Sequence, residues 1–330
     1  MKKPNLPEHF NFSNLPTPIV PLKIKQNNSF YNLMIKRDDF TGVELSGNKI
    51  RKLDFLLKDA VEAGAQRIIT CGSYQSNHCR AAVFAANKIG LKTTLVLKGT
   101  APGFVTGNYL LLKMSGAEII FITEDEYQNV DSYMEKLAGE GNEKSYVIPE
   151  GGSNEVGSWG YAKCFFEILD QIEKQLLKCD TIVVATGSGG THAGLLAGKK
   201  LTKSDINIVS VNVCDNAPHF RNKVDKVLEK MKKRYDLDLS WTESEINIVD
   251  GYVGEGYGQL SGAEEKLALK MVKEEGLVFD LVYGIKAFGA MLNLMSKNQF
   301  PGKDIIFIHT GGIFGVFPYW QELEKTMSLK

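Results

Sequence analysis

The sequence predicts an α/β protein built on two open, mostly parallel sheets. From about residue 50 onward, short β-branched runs alternate with longer stretches of helical period, the pattern of βα units. A strand-like run passes into Thr186-Gly187-Ser188-Gly189-Gly190-Thr191-His192, which opens a helix. The length, 330 residues, exceeds the usual size of one hydrophobic core, so two domains or one large α/β unit follow.

In chain order, the turn-forming pair Gly47-Asn48 precedes Lys49 and presents its side chain ahead of a helix expected over Lys52 to Ala63. The strand Arg67 to Cys71 leads to a helix from Asn77 to Ile89, with Ser76 and Asn77 as ordinary capping residues at its entrance. Thr93 to Leu97, Glu118 to Ile122 and Ser145 to Ile148 read as strands, with a helix over Thr106 to Ser115 between the first two. The turn-rich segment Pro149-Glu150-Gly151-Gly152-Ser153-Asn154 reads as a crossing between domains. Residues 52–155 are therefore expected to form a smaller α/β domain, and 1–51 with 156–330 a larger one. Lys49 would then lie near the seam, where small-molecule sites form. Beyond the crossing, helices are expected over Gly157 to Leu177, Thr191 to Leu201, Gly262 to Glu275 and Ala287 to Lys297. Strands are expected at Thr181 to Ala185, Ile206 to Val213, Ile246 to Val249 and Asp304 to His309. No fixed-period repeat or low-complexity tract interrupts the pattern.

Charge and cysteines narrow the function classes. With 39 basic and 39 acidic residues the chain carries no net charge, so nothing electrostatic favours nucleic acid or an anionic membrane over a small molecule. Its five cysteines, at 71, 79, 164, 179 and 214, lack the paired spacing of a zinc site and read as reduced and cytosolic. The start, Met1-Lys2-Lys3-Pro4, is not followed by the apolar segment of a secretory leader, and no run approaches the ~18 apolar residues of a membrane helix.

Glycines at 187, 189 and 190 let successive N–H groups point inward, and the helix that follows adds its positive end, so the loop suits an anion. A tight turn without ligand is the plainer reading. A dinucleotide unit is the rival reading, with Asp215 after the next strand, but His192 stands where the third glycine of G-x-G-x-x-G belongs. The Walker pattern fails because Lys200 follows Gly198-Lys199. A lysine beside Arg51 and Lys52 is on base rates a solvated surface charge. Its neighbouring cations would, however, depress its pKa and free its amine for attack on an aldehyde. An amine on one segment and an anion cradle on another are the handles needed to hold a phosphorylated aldehyde such as pyridoxal 5'-phosphate. The helix entrance at Ser76 also suits the carboxylate of an amino acid.

These segments together resemble the 1-aminocyclopropane-1-carboxylate deaminase and D-cysteine desulfhydrase family of pyridoxal-phosphate enzymes, of the tryptophan synthase β-like group (fold type II). The resemblance runs from Pro16-Thr17-Pro18-Ile19 through Ile35-Lys36-Arg37-Asp38-Asp39, Gly47 to Leu53 and Gln75-Ser76-Asn77-His78-Cys79-Arg80. It continues through Pro149 to Asn154, Thr186 to Gly194, Gly256-Tyr257-Gly258 and Phe307-Ile308-His309-Thr310-Gly311-Gly312. It implies that Lys49 carries the cofactor covalently, that Asn77 meets its ring hydroxyl, and that Gly187, Ser188, Gly189, Gly190 and Thr191 hold its phosphate. It also implies that Ser76 faces the substrate carboxylate or reacting carbon, that Tyr257 and Tyr283 are the two active-site tyrosines, and that Thr310 partners the pyridine nitrogen.

One position departs from the family. The deaminase branch carries glutamate after the second tyrosine and the desulfhydrase branch threonine; here Gly284 follows Tyr283, which implies a site without a carboxylate beside the ring and a weaker electron sink. The expected activity is accordingly that of a lyase acting on D-cysteine to give pyruvate, hydrogen sulfide and ammonia, classed also as a hydrolase. Opening of the cyclopropane amino acid is the alternative. A Rossmann NAD-dependent oxidoreductase or a non-catalytic amino-acid sensor are alternatives from other classes. The resemblance further implies a homodimer, and the reduced cysteines a cytoplasmic one.

Overall fold

The computed structural model describes residues 4–23 and 31–328. Met1 to Lys3, on which the reading of the leader partly rests, lie outside the described residues.

The chain opens with β1 (Ile19–Pro21) and β2 (Asn32–Arg37), followed by α1 (Asn48–Glu62). Next come β3 (Arg67–Gly72), α2 (Asn77–Lys88), β4 (Lys92–Lys98), α3 (Gly107–Met114), β5 (Glu118–Ile122), the single turn α4 (Glu124–Tyr127), α5 (Val130–Ala138) and β6 (Ser145–Ile148). The second half runs α6 (Trp159–Gln175), β7 (Thr181–Thr186), α7 (Gly190–Thr202), β8 (Asn207–Asn212), α8 (Ala217–Tyr235), β9 (Asn247–Val249), α9 (Gly262–Glu275), α10 (Gly284–Ser296), β10 (Asp304–His309) and α11 (Trp320–Ser328).

Two sheets organise these elements, as expected. One has the order β5-β4-β3-β6 and is parallel throughout. The other has the order β1-β2-β10-β7-β8-β9, parallel except for the edge strand β1, which pairs antiparallel with β2. The central strands of the larger sheet read as unbroken apolar runs because helices bury both faces. Ile182, Val184, Ile208, Ile306 and Ile308 face α6, α7 and α8 through Phe165, Leu195, Leu196, Phe220 and Leu228. Their alternates Val183, Val209, Val211, Ile305 and Phe307 face α9 and α10 through Met271, Ile285, Phe288 and Met291. The period of two in a strand sends alternate residues to opposite faces, which is why neighbours in sequence belong to different clusters. The first cluster also takes in Leu53, Phe55 and Leu56 of α1 and Ala81, Ala82 and Ala85 of α2, so an apolar interior is continuous between the two sheets.

Three elements differ from expectation in ways that bear on the site. Helix α1 begins at Asn48, so Lys49 lies in its first turn and not in a preceding loop. Gly47, at φ 105°, makes the N-cap. Strand β2 was not expected, because Lys36 and Arg37 end its apolar run after three residues; Lys36 is fully buried and held by Glu167, Gln171 and the carbonyl of Thr17. Helix α8 was not expected either, since lysines and arginines crowd it, although Phe220, Val224, Val227, Leu228 and Met231 form its buried stripe.

Candidate active site

Segments leaving the carboxyl ends of β3, β6, β7 and β10 converge on a cavity of about 480 Å³, the location at which open parallel sheets place ligands. Lys49 lines it from the start of α1. That helix start is fixed to the end of β10, where the Asn48 N–H donates to the Thr310 carbonyl at 3.0 Å. It is fixed to α7 as well, through Asn48 Nδ2 and Thr191 Oγ1 at 3.4 Å. One turn on, Arg51 is bound into a buried network, donating to Asp38 at 2.7 and 2.9 Å and to Glu167 at 2.9 Å. Burial works against the Asp38 charge, yet Arg51 beside it holds the carboxyl below its usual range.

Burial pushes the Lys49 amine down to about 8, against the pull of the Glu150 and Asp280 carboxylates. The expectation of a lowered pKa holds, but its cause is desolvation and not the neighbouring cations. Arg51 is neutralised by its own carboxylates. Burial, and then the charge of Lys49, lower the Lys52 pKa well below the usual lysine range. The Lys52 amine donates to the Gly151 carbonyl at 3.1 Å and to Ser153 Oγ at 3.0 Å.

The anion cradle stands next to the amine. Gly189, at φ 85°, caps α7, and Gly187, Ser188, Gly189 and Thr191 line the cavity. Gly190 lies behind them, packed so tightly on Ser153 that a Cβ would fall 2.6 Å from its hydroxyl oxygen. Ser188 Oγ hydrogen-bonds Ser153 Oγ at 2.8 Å. Gly151, at φ 66°, separates the two handles: a Cβ there would sit 3.1 Å from Lys49 Nζ and 2.5 Å from Ser188 Oγ. Amine and cradle are thus neighbours of one small residue, close enough for a single phosphorylated aldehyde to reach both. The residues present fit such a group: an amine of lowered pKa, a loop with its N–H groups at a helix start, and the room left by missing side chains.

On the opposite wall Ser76 caps α2, accepting from the Cys79 N–H at 3.1 Å, while its hydroxyl proton stays available to the cavity. Asn77 lines the cavity beside it and donates to Asp280 Oδ2 at 2.9 Å. Tyr257 and Tyr283 share a short hydrogen bond, 2.5 Å between hydroxyl oxygens, and burial raises the pKa of Tyr283. Thr310 lines the cavity where β10 ends. His78, also on the wall, has its tautomer set. Thr70 Oγ1 donates to the Ile148 carbonyl and so accepts from His78 Nε2, leaving Nδ1 as a lone pair without a partner among the described residues.

Two carboxyl groups were missed from sequence. Asp280 is buried in the cavity wall four residues before Gly284, and Glu150 stands at the rim, accepting from the Tyr127 hydroxyl at 2.9 Å. The position after Tyr283 carries no carboxylate, as read from the sequence, and Asp280 is bound to Asn77. Gly284 removes a side chain at one position, but the wall is acidic at another, with the Asp280 pKa raised by burial. Its position before a helix-opening turn, where carboxylates accept backbone N–H groups, was the available signal.

A family model described as pyridoxal-phosphate dependent enzyme matches residues 11–311. A putative 1-aminocyclopropane-1-carboxylate deaminase of Thermotoga maritima is 40% identical over 306 residues, covering 92% of this chain and 95% of that protein. A bifunctional D-cysteine desulfhydrase/1-aminocyclopropane-1-carboxylate deaminase, mitochondrial, of Arabidopsis thaliana is 38% identical, covering 98% of this chain and 82% of that protein. The crystal structure of a 1-aminocyclopropane-1-carboxylate deaminase homologue superposes with a TM-score of 0.86 at 36% identity, covering 97% and 96% of the two chains. The dinucleotide reading of the Gly187 loop falls with this match. His192 is buried and bound to Ser210 at 2.6 Å, filling the space a third glycine would leave. The hydrolase class expected beside lyase is withdrawn, since these relatives are named for desulfhydration and deamination.

Proposed function

Because the chain belongs to the pyridoxal-phosphate-dependent enzyme family, we propose that it eliminates the thiol of D-cysteine to give pyruvate, hydrogen sulfide and ammonia. The observation that carries this reading is the placement of the Lys49 amine and the Ser188 hydroxyl on either side of Gly151, in one cavity with Ser76 and the tyrosine pair.

Lys49 would carry the cofactor, Gly187 to Thr191 its phosphate, Asn77 its ring hydroxyl, and Thr310 its pyridine nitrogen. When bound, pyridoxal phosphate supplies a conjugated system that takes up the charge left as the substrate Cα loses its proton. Ser76 and the α2 N-terminus grip the substrate carboxylate, with the hydroxyl donating and the helix end adding its positive field. Lys49, its amine neutral once displaced, takes the Cα proton. A thiol leaves readily as thiolate, and the Tyr257–Tyr283 pair donates to it. A phenol of ordinary pKa about 10 is protonated near neutral pH, which suits both tyrosines as donors. The same protonation disfavours attack by a tyrosinate on a cyclopropane ring, so the deaminase reaction stands second. It keeps its place because relatives bear that name.

Two α/β domains, 52–155 against 1–51 with 156–330, would close on the site at their seam. Five cysteines without disulfides suit the reducing cytoplasm. Exposed Phe104, Leu110, Met114, Phe317 and Trp320 supply apolar surface for a homodimer. Pyruvate release from D-cysteine, L-cysteine and the cyclopropane amino acid, assayed side by side, tests the activity. Faster turnover of D-cysteine is expected. Faster turnover of the cyclopropane would favour the second reading, and cofactor binding without turnover of any amino acid would favour a sensor.

A further inference from the structure

The Asn77 amide is held at both ends. Asn108 Nδ2 donates to Asn77 Oδ1 at 2.9 Å, and Asn77 Nδ2 donates to Asp280 Oδ2 at 2.9 Å. Asn108 is fully buried and fixed in turn, its side chain donating to the Gln75 carbonyl at 2.8 Å and its backbone N–H to Gln75 Oε1 at 2.9 Å. The second oxygen of Asp280 accepts the backbone N–H groups of Val282 at 2.9 Å and Tyr283 at 2.7 Å. Burial raises the Asp280 pKa, yet every one of these neighbours donates, and such a set is satisfied by a carboxylate.

A carboxylate only accepts, so the chain of hydrogen bonds has one direction. Asn108 gives to the Asn77 carbonyl, Asn77 gives one N–H to Asp280, and one N–H of Asn77 remains at the cavity wall. The chain crosses between the sheets: Asn77 and Asn108 open α2 and α3 beside the four-stranded sheet, and Asp280 precedes α10 on the six-stranded one. Space for it depends on Gly312, where a Cβ would collide with Asp280 Oδ2 and fall 2.8 Å from Asn77 Nδ2.

The geometry points to Asp280 as a positioning residue that sets which end of the Asn77 amide meets the cofactor, and that from the same carboxylate fixes Tyr283 at the start of α10. Oriented this way, Asn77 offers an N–H to the anionic ring oxygen; reversed, it would offer a carbonyl and repel it. This deepens the functional reading above and rests on it.

D280N tests the role with little change of shape. Its remaining oxygen still accepts from Val282 and Tyr283, but its new NH2 faces the NH2 of Asn77, which must turn over. We expect cofactor-stripped D280N to bind pyridoxal phosphate at least tenfold more weakly than the unsubstituted protein, with altered absorbance of the bound cofactor. The exchanged pair N77D/D280N separates positioning from scaffolding. In it the carboxylate at position 77 would accept both from Asn108 and from the new amide at position 280. The melting temperature should therefore recover toward that of the unsubstituted protein, while affinity stays low because no N–H faces the ring. Unchanged affinity and absorbance in D280N would overturn the proposal, as would an exchanged pair that regains affinity. If the unsubstituted protein took up no cofactor, the functional reading itself would fall, and the positioning role with it.

Discussion

Stripping the protein of cofactor and adding pyridoxal phosphate back at a series of pH values reads the ionisation of Lys49. Only the neutral amine has the lone pair that attacks an aldehyde, so attachment should be slow where Lys49 is an ammonium and level off above its pKa. With that pKa at about 8, roughly a tenth of the amine is free at pH 7. An unperturbed lysine at the ordinary value of ~10.4 would have about 0.04% free. Desolvation of this one group is therefore worth about two orders of magnitude in reactive amine at neutral pH. Stopped-flow absorbance of the bound cofactor gives the rate at each pH. A tenfold rise from pH 6 to 7, a smaller rise from 7 to 8, and a plateau beyond are expected. A rate still climbing tenfold per unit between pH 9 and 10 would refute the claim that burial prepares the amine.

Other substitutions follow from the same contacts. G187A places a methyl group 2.7 Å from Tyr283 Cε1; overpacking of this kind costs about 1–3 kcal/mol. Turnover of D-cysteine should fall at least tenfold in a protein that still folds, as checked by steady-state kinetics beside a thermal melt. R51M leaves Asp38 and Glu167 short of a partner in a buried network, and denaturant titration should show a loss of about 3–5 kcal/mol. Lys286 donates to the carbonyls of Val253 at 2.6 Å and Gly256 at 3.0 Å and so holds the loop that carries Tyr257. K286M should lower kcat several-fold without changing cofactor affinity, a split that equilibrium cofactor titration beside kinetics would reveal.

The parallel sheets were legible because strands buried on both faces, such as Asp304–His309, leave unbroken apolar runs in the sequence. The glycine loop at 187 was legible for a related reason: only glycines let the chain turn so tightly into α7. Lys36 and Arg51 misled, since charge in a sequence reads as exposure until a partner is known, and the partner they share, Glu167, lies more than a hundred residues away. The same limit hid the reason for the reactivity of Lys49. Its neighbours Arg51 and Lys52 are close in sequence, whereas desolvation comes from segments near residues 76, 150, 187 and 280 folding over it. For Asp280 the turn position was readable but its partner was not, because nothing in the run Phe279-Asp280-Leu281 tells that Asn77 will meet it from the other sheet.

Borohydride reduction of the protein with its cofactor bound, followed by peptide fragmentation and mass spectrometry, tests the central claim most directly, because reduction makes any cofactor–lysine bond permanent. The account predicts one added cofactor per chain, on Lys49 and lost in K49A. Label on Lys52 or any other lysine, or a chain that carries none, would contradict it.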